Sequence, residues 1–316
     1  SQDYTAIIWD LTMRGVQGFL AKGRFTQLMC VENKLYAKSV DDEQLVAWNL
    51  NDRQMLQVLH GFNGKLDRFS ISTDGLAALA EAEGNISVWD LATGESKGVL
   101  HPGILAGDEN WKERQQLTFS PSGELLAAVI NEGNVLVWQA PFSRPKPCLT
   151  LTRPEGDVLA LAFDHSDKFL ATGHRDKHVR VWNTEDGSLV FESAEEGGHR
   201  DKVMCLAFES DGDLLASGSF DNTIKIWNIN GSSEPLATLR GHSASIHQLL
   251  FSKDKRTLFS AGGDQTVRLW DTETYQERFQ IGGHSREAHG IAISADEEIL
   301  ATAGVNGVRL WYGPRD

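Results

Sequence analysis

The sequence predicts an all-β fold of seven small sheets, each of four antiparallel strands, that stand side by side in a ring. The first observation is a repeat: eight tryptophans each end a short alternating run, and successive ones lie 39 to 49 residues apart. The second is the pattern inside one unit, where four apolar runs are separated by polar turns. The third is size, because one sheet of about 40 residues cannot bury both its faces and needs neighbours on either side.

Composition limits the classes of function. The chain has 316 residues, 41% of them hydrophobic and 23% charged, which is typical of a globular protein with a buried core. Its formal net charge is −14 and no Lys/Arg cluster offsets it, which argues against nucleic acid as a partner. The longest apolar runs are far too short to cross a membrane. Cys30, Cys148 and Cys205 form no CxxC pair, which favours a reduced, cytoplasmic setting.

The strand signals are clearest in residues 198–240. Apolar or alternating runs cover Val203–Phe208, Asp213–Ser217, Thr223–Trp227 and Pro235–Leu239. Short polar turns rich in Gly, Asn, Asp and Ser separate them. Four strands joined by such turns form an antiparallel meander.

These units resemble the repeats of the WD40 (WD-repeat) family of β-propellers, and the match covers essentially the whole chain. In that family a His, a Ser or Thr, an Asp and a Trp form a hydrogen-bonded tetrad inside each blade. Two repeats carry the complete set at the same spacing: His199, Ser217, Asp221 and Trp227, then His242, Ser260, Asp264 and Trp270. The resemblance therefore implies two structural tetrads within a seven-bladed WD40 β-propeller.

The other repeats depart from this pattern. The repeat that ends at Trp182 has Pro154 in place of the histidine, and the one that ends at Trp311 has Asn306 in place of the aspartate. In three N-terminal repeats the Ser/Thr place is held by other residues: Lys38, Leu79 and Ala128. The C-terminal half is therefore regular and the N-terminal half degenerate.

The two ends of the chain are expected to meet. Seven first strands can be counted, and the segment Val16–Ala21 directly precedes the first of them. As an outer strand of about residues 16–21 on the last blade, it would close the ring formed by residues 12–316. Residues 1–11 are then surplus: they match the third strand of a further repeat and suggest the remnant of a longer array, the alternative being an arm packed on the ring.

The His, Ser and Asp of a tetrad invite comparison with a hydrolase triad. Because the same set occurs in two blades, and because the family buries it inside the blade, we expect structural roles and no catalytic residue. His174 and His178 lie four residues apart on a turn and the next strand, without a third ligand nearby, so no metal site is expected. No phosphate-binding loop or other cofactor motif is recognised.

The resemblance also implies where a partner would bind. In WD40 propellers the second-to-third-strand turns and the connections into the first strands open on one face, around the central channel. Partner-binding residues concentrate there just before the tetrad Asp and five positions after the tetrad His. Our candidates on this face are Phe220, Met204, Arg175, His247, His289 and, in the longest insertion, Trp111.

Two of these candidates leave alternatives open. Phe220 either covers the edge of its own blade or anchors a partner, and Trp111 either packs on the ring or offers an amphipathic contact. The favoured function is a non-catalytic scaffold or sensor that binds a protein or peptide, as the C-terminal part of a larger multidomain protein. The first alternative is recognition of a modified or cationic peptide, and the second is a propeller enzyme.

Overall fold

The computed structural model describes residues 19–56, 66–81, 85–100, 116–130, 133–142, 144–152, 157–282 and 284–312. In these residues the chain forms 28 β-strands and no α-helix. The strands belong to seven antiparallel sheets of four strands each, here called blades 1 to 7. The all-β, seven-bladed ring predicted from the repeat is confirmed.

The first three blades follow one another along the chain. Blade 1 comprises β2 (Phe25–Val31), β3 (Lys34–Ser39), β4 (Gln44–Asn49) and β5 (Met55–Leu56). Blade 2 comprises β6 (Leu66–Ile71), β7 (Leu76–Glu81), β8 (Ile86–Asp90) and β9 (Glu95–Leu100). Blade 3 comprises β10 (Leu117–Phe119), β11 (Leu125–Val129), β12 (Val135–Gln139) and β13 (Leu149–Leu151).

The next three blades continue the same pattern. Blade 4 comprises β14 (Val158–Phe163), β15 (Phe169–His174), β16 (Val179–Asn183) and β17 (Leu189–Glu192). Blade 5 comprises β18 (Val203–Phe208), β19 (Leu214–Ser219), β20 (Thr223–Asn228) and β21 (Ala237–Arg240). Blade 6 comprises β22 (Ile246–Phe251), β23 (Thr257–Gly262), β24 (Val267–Asp271) and β25 (Glu277–Ile281).

Blade 7 joins the two ends of the described chain. It comprises β26 (Ala288–Ile293), β27 (Ile299–Gly304), β28 (Gly307–Tyr312) and, as its outer strand, β1 (Phe19–Ala21). Phe19 lies opposite Arg309, and Ala21 lies opposite Val308. The predicted closure by an N-terminal outer strand is confirmed. Residues 1–18, and with them the surplus repeat of residues 1–11, lie outside the described residues.

The core lies between the blades. Among the described residues, buried apolar side chains form seven clusters, each made of the facing sides of two successive blades, and one of these joins blade 7 to blade 1. Trp227 of blade 5, for example, belongs to one cluster with Val179 and Val181 of blade 4, and its ring centre lies 6.1 Å from that of Phe191. The small blades therefore shelter one another's faces, as their size requires.

Two further observations concern the whole chain. Cys30, Cys148 and Cys205 are free thiols. Among the described residues there is no helix with the length and apolar character that a membrane crossing demands.

Candidate functional site

In the described residues, one end of the blades carries the turns and connections singled out by the sequence. There the backbone N–H of the residue before the tetrad acid donates to the carbonyl that precedes the first strand. This bond, 2.8–3.0 Å long, repeats in three successive blades: Arg175 to Asp157, Phe220 to Lys202 and Gly263 to Ser245. We call this end, formed by residues 40–43, 175–178, 220–222 and 263–266 with the residues that lead into the first strands, the upper face.

The first strands line a central cavity of about 630 Å³. In six of the seven first strands, the register within the described residues slips at a single residue: Gln27, Asp67, Leu159, Met204, His247 and His289. Such a β-bulge turns a side chain away from the regular alternation of its strand. Five of these residues line the cavity: Gln27, Asp67, Met204, His247 and His289. The predicted residues Met204, His247 and His289 thus lie together at the cavity, and Gln27 and Asp67 join them.

Gln27 and Asp67 were missed because their repeats lack the tetrad residues from which positions were counted. Both residues occupy the same position at the start of a first strand as Met204, His247 and His289, and that position is the signal that could have identified them. Gln27 also links two blades: the N–H of Phe69 donates to its Oε1 at 3.2 Å, and its Nε2 donates to the Phe69 carbonyl. Gln248 makes the same paired contact with Ile291, at 3.0 and 2.9 Å.

Phe220 is 47% exposed on the upper face. The Lys202 ammonium lies 4.3 Å from the centre of its ring, which is a cation–π contact on one side of the ring. The phenyl group is therefore accessible, and a positive charge of the same blade already stands over it.

Arg175 is held in an ion pair on the same face. Its Nε lies 2.9 Å from Asp157 Oδ2, and Arg24 makes an equivalent contact with Asp41 at 2.9 Å in blade 1. The hydrogen bond from the Arg24 backbone N–H, followed by that of its guanidinium, lowers the pKa of Asp41. Such exposed pairs add little stability but offer both charges to a partner.

His247 and His289 are neighbours, with ring centres 5.1 Å apart. Glu287 Oε2 lies 3.7 Å from His247 Nε2 and 3.5 Å from His289 Nε2. Burial lowers the pKa of both histidines, which favours neutral imidazoles at pH 7. The sequence indicated both histidines as surface candidates, but neither their proximity nor Glu287 was predicted. Trp111 lies outside the described residues.

The tetrad residues of blade 5 lie within hydrogen-bonding distance of one another. His199 Nε2 is 2.7 Å from Ser217 Oγ, its Nδ1 is 3.0 Å from Asp221 Oδ2, and Trp227 Nε1 donates to Ser217 Oγ at 2.7 Å. Burial would raise the pKa of Asp221, but hydrogen bonds from His199, Thr223 and a backbone N–H hold that pKa well below its usual range. Ser217 is 0% exposed, so its hydroxyl is closed to a substrate.

Blade 6 repeats this arrangement. His242 Nε2 is 2.7 Å from Ser260 Oγ, its Nδ1 is 2.9 Å from Asp264 Oδ1, and Trp270 Nε1 donates to Ser260 Oγ at 2.8 Å. The pKa of Asp264 is likewise held low, since its hydrogen bonds outweigh the effect of burial. Blades 5 and 6 therefore each contain a buried polar network of the same kind.

Two further blades form a comparable hydrogen-bonded set with other residues. In blade 7, Asn306 Oδ1 lies 2.9 Å from His284 Nδ1, so an amide takes the place of the carboxylate. In blade 4, His174 Nε2 lies 2.7 Å from Thr172 Oγ1, which also accepts the Trp182 Nε1–H at 2.9 Å. A histidine on strand β15 thus supplies the bond to the threonine, in a repeat whose histidine place holds a proline.

The degenerate blades avoid the network in different ways. Leu79 and Ala128 are buried at the Ser/Thr place, so no hydroxyl there needs a partner. In blade 3, Trp138 Nε1 donates to the carbonyl of Pro145 at 2.9 Å. In blade 1, Lys38 Nζ donates to the carbonyl of Asp67 at 2.7 Å. When a buried polar group and its hydrogen-bond partners are replaced together, the free energy of unfolding changes little. This explains why these blades tolerate the loss of the tetrad.

Comparison with known proteins agrees with this geometry. The family model described as WD domain, G-beta repeat matches residues 145–183, 192–228 and 233–271, which form the regular part of the chain. The nuclear distribution protein nudF of Aspergillus niger is 31% identical over 212 residues, covering 60% of this chain and 47% of that protein.

Two rice proteins are also similar. A guanine nucleotide-binding protein subunit beta of Oryza sativa subsp. japonica is 26% identical over 197 residues, covering 58% of this chain and 51% of that protein. The small ribosomal subunit protein RACK1y of the same subspecies is 26% identical over 150 residues, covering 45% and 41% respectively. The chain thus spans about half the length of these curated relatives or less.

Proposed function

We propose that this chain, which belongs to the WD40 family of β-propellers, is a non-catalytic platform that binds a protein partner on its upper face. Propellers of this family are typically protein-interaction scaffolds. A rigid ring that presents loops and turns on one face suits that role. The larger multidomain context and the cytoplasmic setting stay predictions.

The observation that carries the proposal is the exposure of Phe220 on a turn that is held in place. The next residue, Asp221, accepts hydrogen bonds from His199 Nδ1, from Thr223 Oγ1 at 2.6 Å and from the Arg200 N–H at 2.8 Å. Because the turn is already ordered, it loses little conformational entropy when a partner covers the phenyl ring. Aromatic side chains, phenylalanine among them, are enriched at the cores of protein interfaces.

The alternatives receive less support. An enzyme that used the Ser–His–Asp sets would need an accessible hydroxyl, and both serines are fully buried. Recognition of a cationic peptide at Phe220 would bring a second positive charge to a ring that already carries Lys202 at 4.3 Å. A partner that buries the ring edge and contacts the charged pairs around it suits the upper face better.

A pair of matched variants tests the proposal. Phe220→Ala removes the upper-face ring, whereas Phe279→Ala removes a phenyl group of similar exposure, 38%, from the outer strand β25. Proteins that co-purify with the wild-type chain from its source cells would be identified, produced separately and titrated against all three forms.

We expect Phe220→Ala to weaken the affinity about tenfold or more, which corresponds to about 1.4 kcal/mol, and Phe279→Ala to leave it unchanged. Equal affinities for the three forms would refute the upper face as the binding surface. A loss with Phe279→Ala alone would move the interface to the outer edge of blade 6.

A further inference from the structure

His247, Glu287 and His289 bring three metal-ligating groups together at the central cavity. Their ligand atoms all lie within 4.8 Å of one another. The set combines two imidazoles with one carboxylate, a donor set that proteins use for zinc and for other divalent transition metals. The two histidines belong to the first strands of neighbouring blades, β22 and β26, and Glu287 immediately precedes β26.

Two of the three separations between ligand atoms are close to those around one tetrahedral ion. Zinc bonds to imidazole nitrogen and carboxylate oxygen are about 2.0–2.2 Å long, so neighbouring ligand atoms of a tetrahedron are separated by about 3.3–3.6 Å. The separations from Glu287 Oε2 are 3.7 Å to His247 Nε2 and 3.5 Å to His289 Nε2. The third pair, the ligand atoms of His247 and His289, lies within 4.8 Å, so small side-chain movements would bring all three ligand atoms onto one ion.

An independent observation concerns His247. Its Nε2 atom is buried and has no hydrogen-bond partner among the described residues. A buried polar atom without a partner costs free energy, and a metal ion would satisfy it. Beside this atom lies Gly263, where a Cβ would stand only 3.2 Å from Nε2. The missing side chain leaves the nitrogen uncrowded on that side.

The three ligands are also held in position. His247 and His289 are the bulged residues of their strands, which turns both rings toward the cavity. The segment that carries Glu287 is anchored by His284, which is bonded to Asn306 and Thr302 at 2.9 and 2.8 Å. Lys38 and Arg68 line the same cavity and oppose a cation, but Lys38 is paired with Asp67. Glu287 supplies a negative charge among the three ligands.

We propose that His247, Glu287 and His289 bind one zinc-class divalent metal ion that links blades 6 and 7 at the central cavity. Three protein ligands leave a fourth tetrahedral position open, and water occupies it in the free protein. The sequence suggested no metal site because the histidines are 42 residues apart, yet both occupy the same place in successive repeats, and successive blades set such places side by side.

The test uses the full 316-residue chain without a histidine tag. Zn²⁺ would be titrated calorimetrically, and Co²⁺ would serve as the optical probe, because tetrahedral cobalt sites absorb strongly in the visible range. The variants are His247→Ala, His289→Ala and Glu287→Gln. His165→Ala is the matched control, since this exposed histidine lies in a turn of blade 4, away from the site.

We expect one ion per wild-type chain, affinity reduced more than tenfold in either histidine variant, a smaller loss with Glu287→Gln, and no change in the control. Glu287 is half exposed, so its variant folds and keeps the test valid even if a histidine variant does not. Wild-type binding no tighter than that of the three variants, or a control that loses affinity as they do, would overturn the proposal.

Discussion

At Ser217 one hydroxyl links Trp227 and His199, two side chains that lie 28 residues apart in the sequence. It accepts the Trp227 indole N–H and bonds His199, whose other nitrogen contacts Asp221. In the low-dielectric interior of blade 5 such a network is stable only while every member has its partner. The arrangement therefore fixes the protonation of its members as well as their positions.

His199 provides a prediction about pH. Burial lowers its pKa below the ordinary value of about 6.5, despite the opposing influence of Asp221. The folded chain therefore binds fewer protons than the unfolded chain just below pH 6.5, and stability falls as the pH falls. The stabilisation from neutral His199 is complete above about pH 6.5 and is lost below it, by up to about 1.4 kcal/mol per pH unit.

Urea unfolding between pH 7.5 and 5.5 measures this loss. His199→Gln should flatten the dependence of the unfolding free energy on pH, whereas His165→Gln, at an exposed position, should leave the slope of the wild type. Identical slopes for all three would show that His199 does not titrate in this way.

At the level of elements, the second strands determine how closely successive blades approach. In blade 5, Gly218 of β19 lies where a Cβ would stand 2.6 Å from Cys205 Sγ and 2.6 Å from Ile246 Cγ2 of blade 6. Gly173 of β15 lies in the same way against Val203 of blade 5, at 2.7 Å. The missing side chains let the first strand of the next blade pack directly on the backbone.

Gly218→Ala should therefore destabilise the ring by about 1–3 kcal/mol, since the added methyl group overpacks the interface between blades 5 and 6. Gly282→Ala is the matched control, because its Cβ would meet nothing within 4 Å. Chemical unfolding monitored by tryptophan fluorescence compares the two. A Gly218 variant as stable as the control would mean that the blades move apart at no cost.

At the level of the whole molecule, the ring depends on a short closing strand. Leu20 and Ala21 of β1 pack against the apolar cluster between blades 7 and 1, and β1 covers the edge of β28. Without it, that edge would present unpaired backbone groups and invite pairing with another chain.

Removing residues 1–21 should lower the unfolding free energy by about 2 kcal/mol or more and promote self-association. Removing residues 1–11 alone should change neither, because the sequence-based boundary places them outside the ring. Differential scanning calorimetry and light scattering on the two truncated chains measure both effects. Equal behaviour of the two would remove β1 from its role in closure.

The fold was predictable because its signals are local: each tryptophan and each turn can be read within one repeat of about 40 residues. Proximity between repeats was not. Nothing in the sequence indicated that His174 would bond Thr172, since the histidine comes from a strand and not from the usual connection. The contact of His247 with Glu287 depends on the angle between two blades, which no single repeat encodes.

The closing pair has a mechanical consequence. Phe19 lies opposite Arg309, so the chain enters β1 and leaves β28 at the same end of the sheet. Tension applied through the two flanking segments would break the hydrogen bonds between β1 and β28 one after another, because the force would not be shared by all of them at once. A tether pulling from both sides would therefore open the ring between β1 and β28, and blade 7 would lose its outer strand before any other blade was strained.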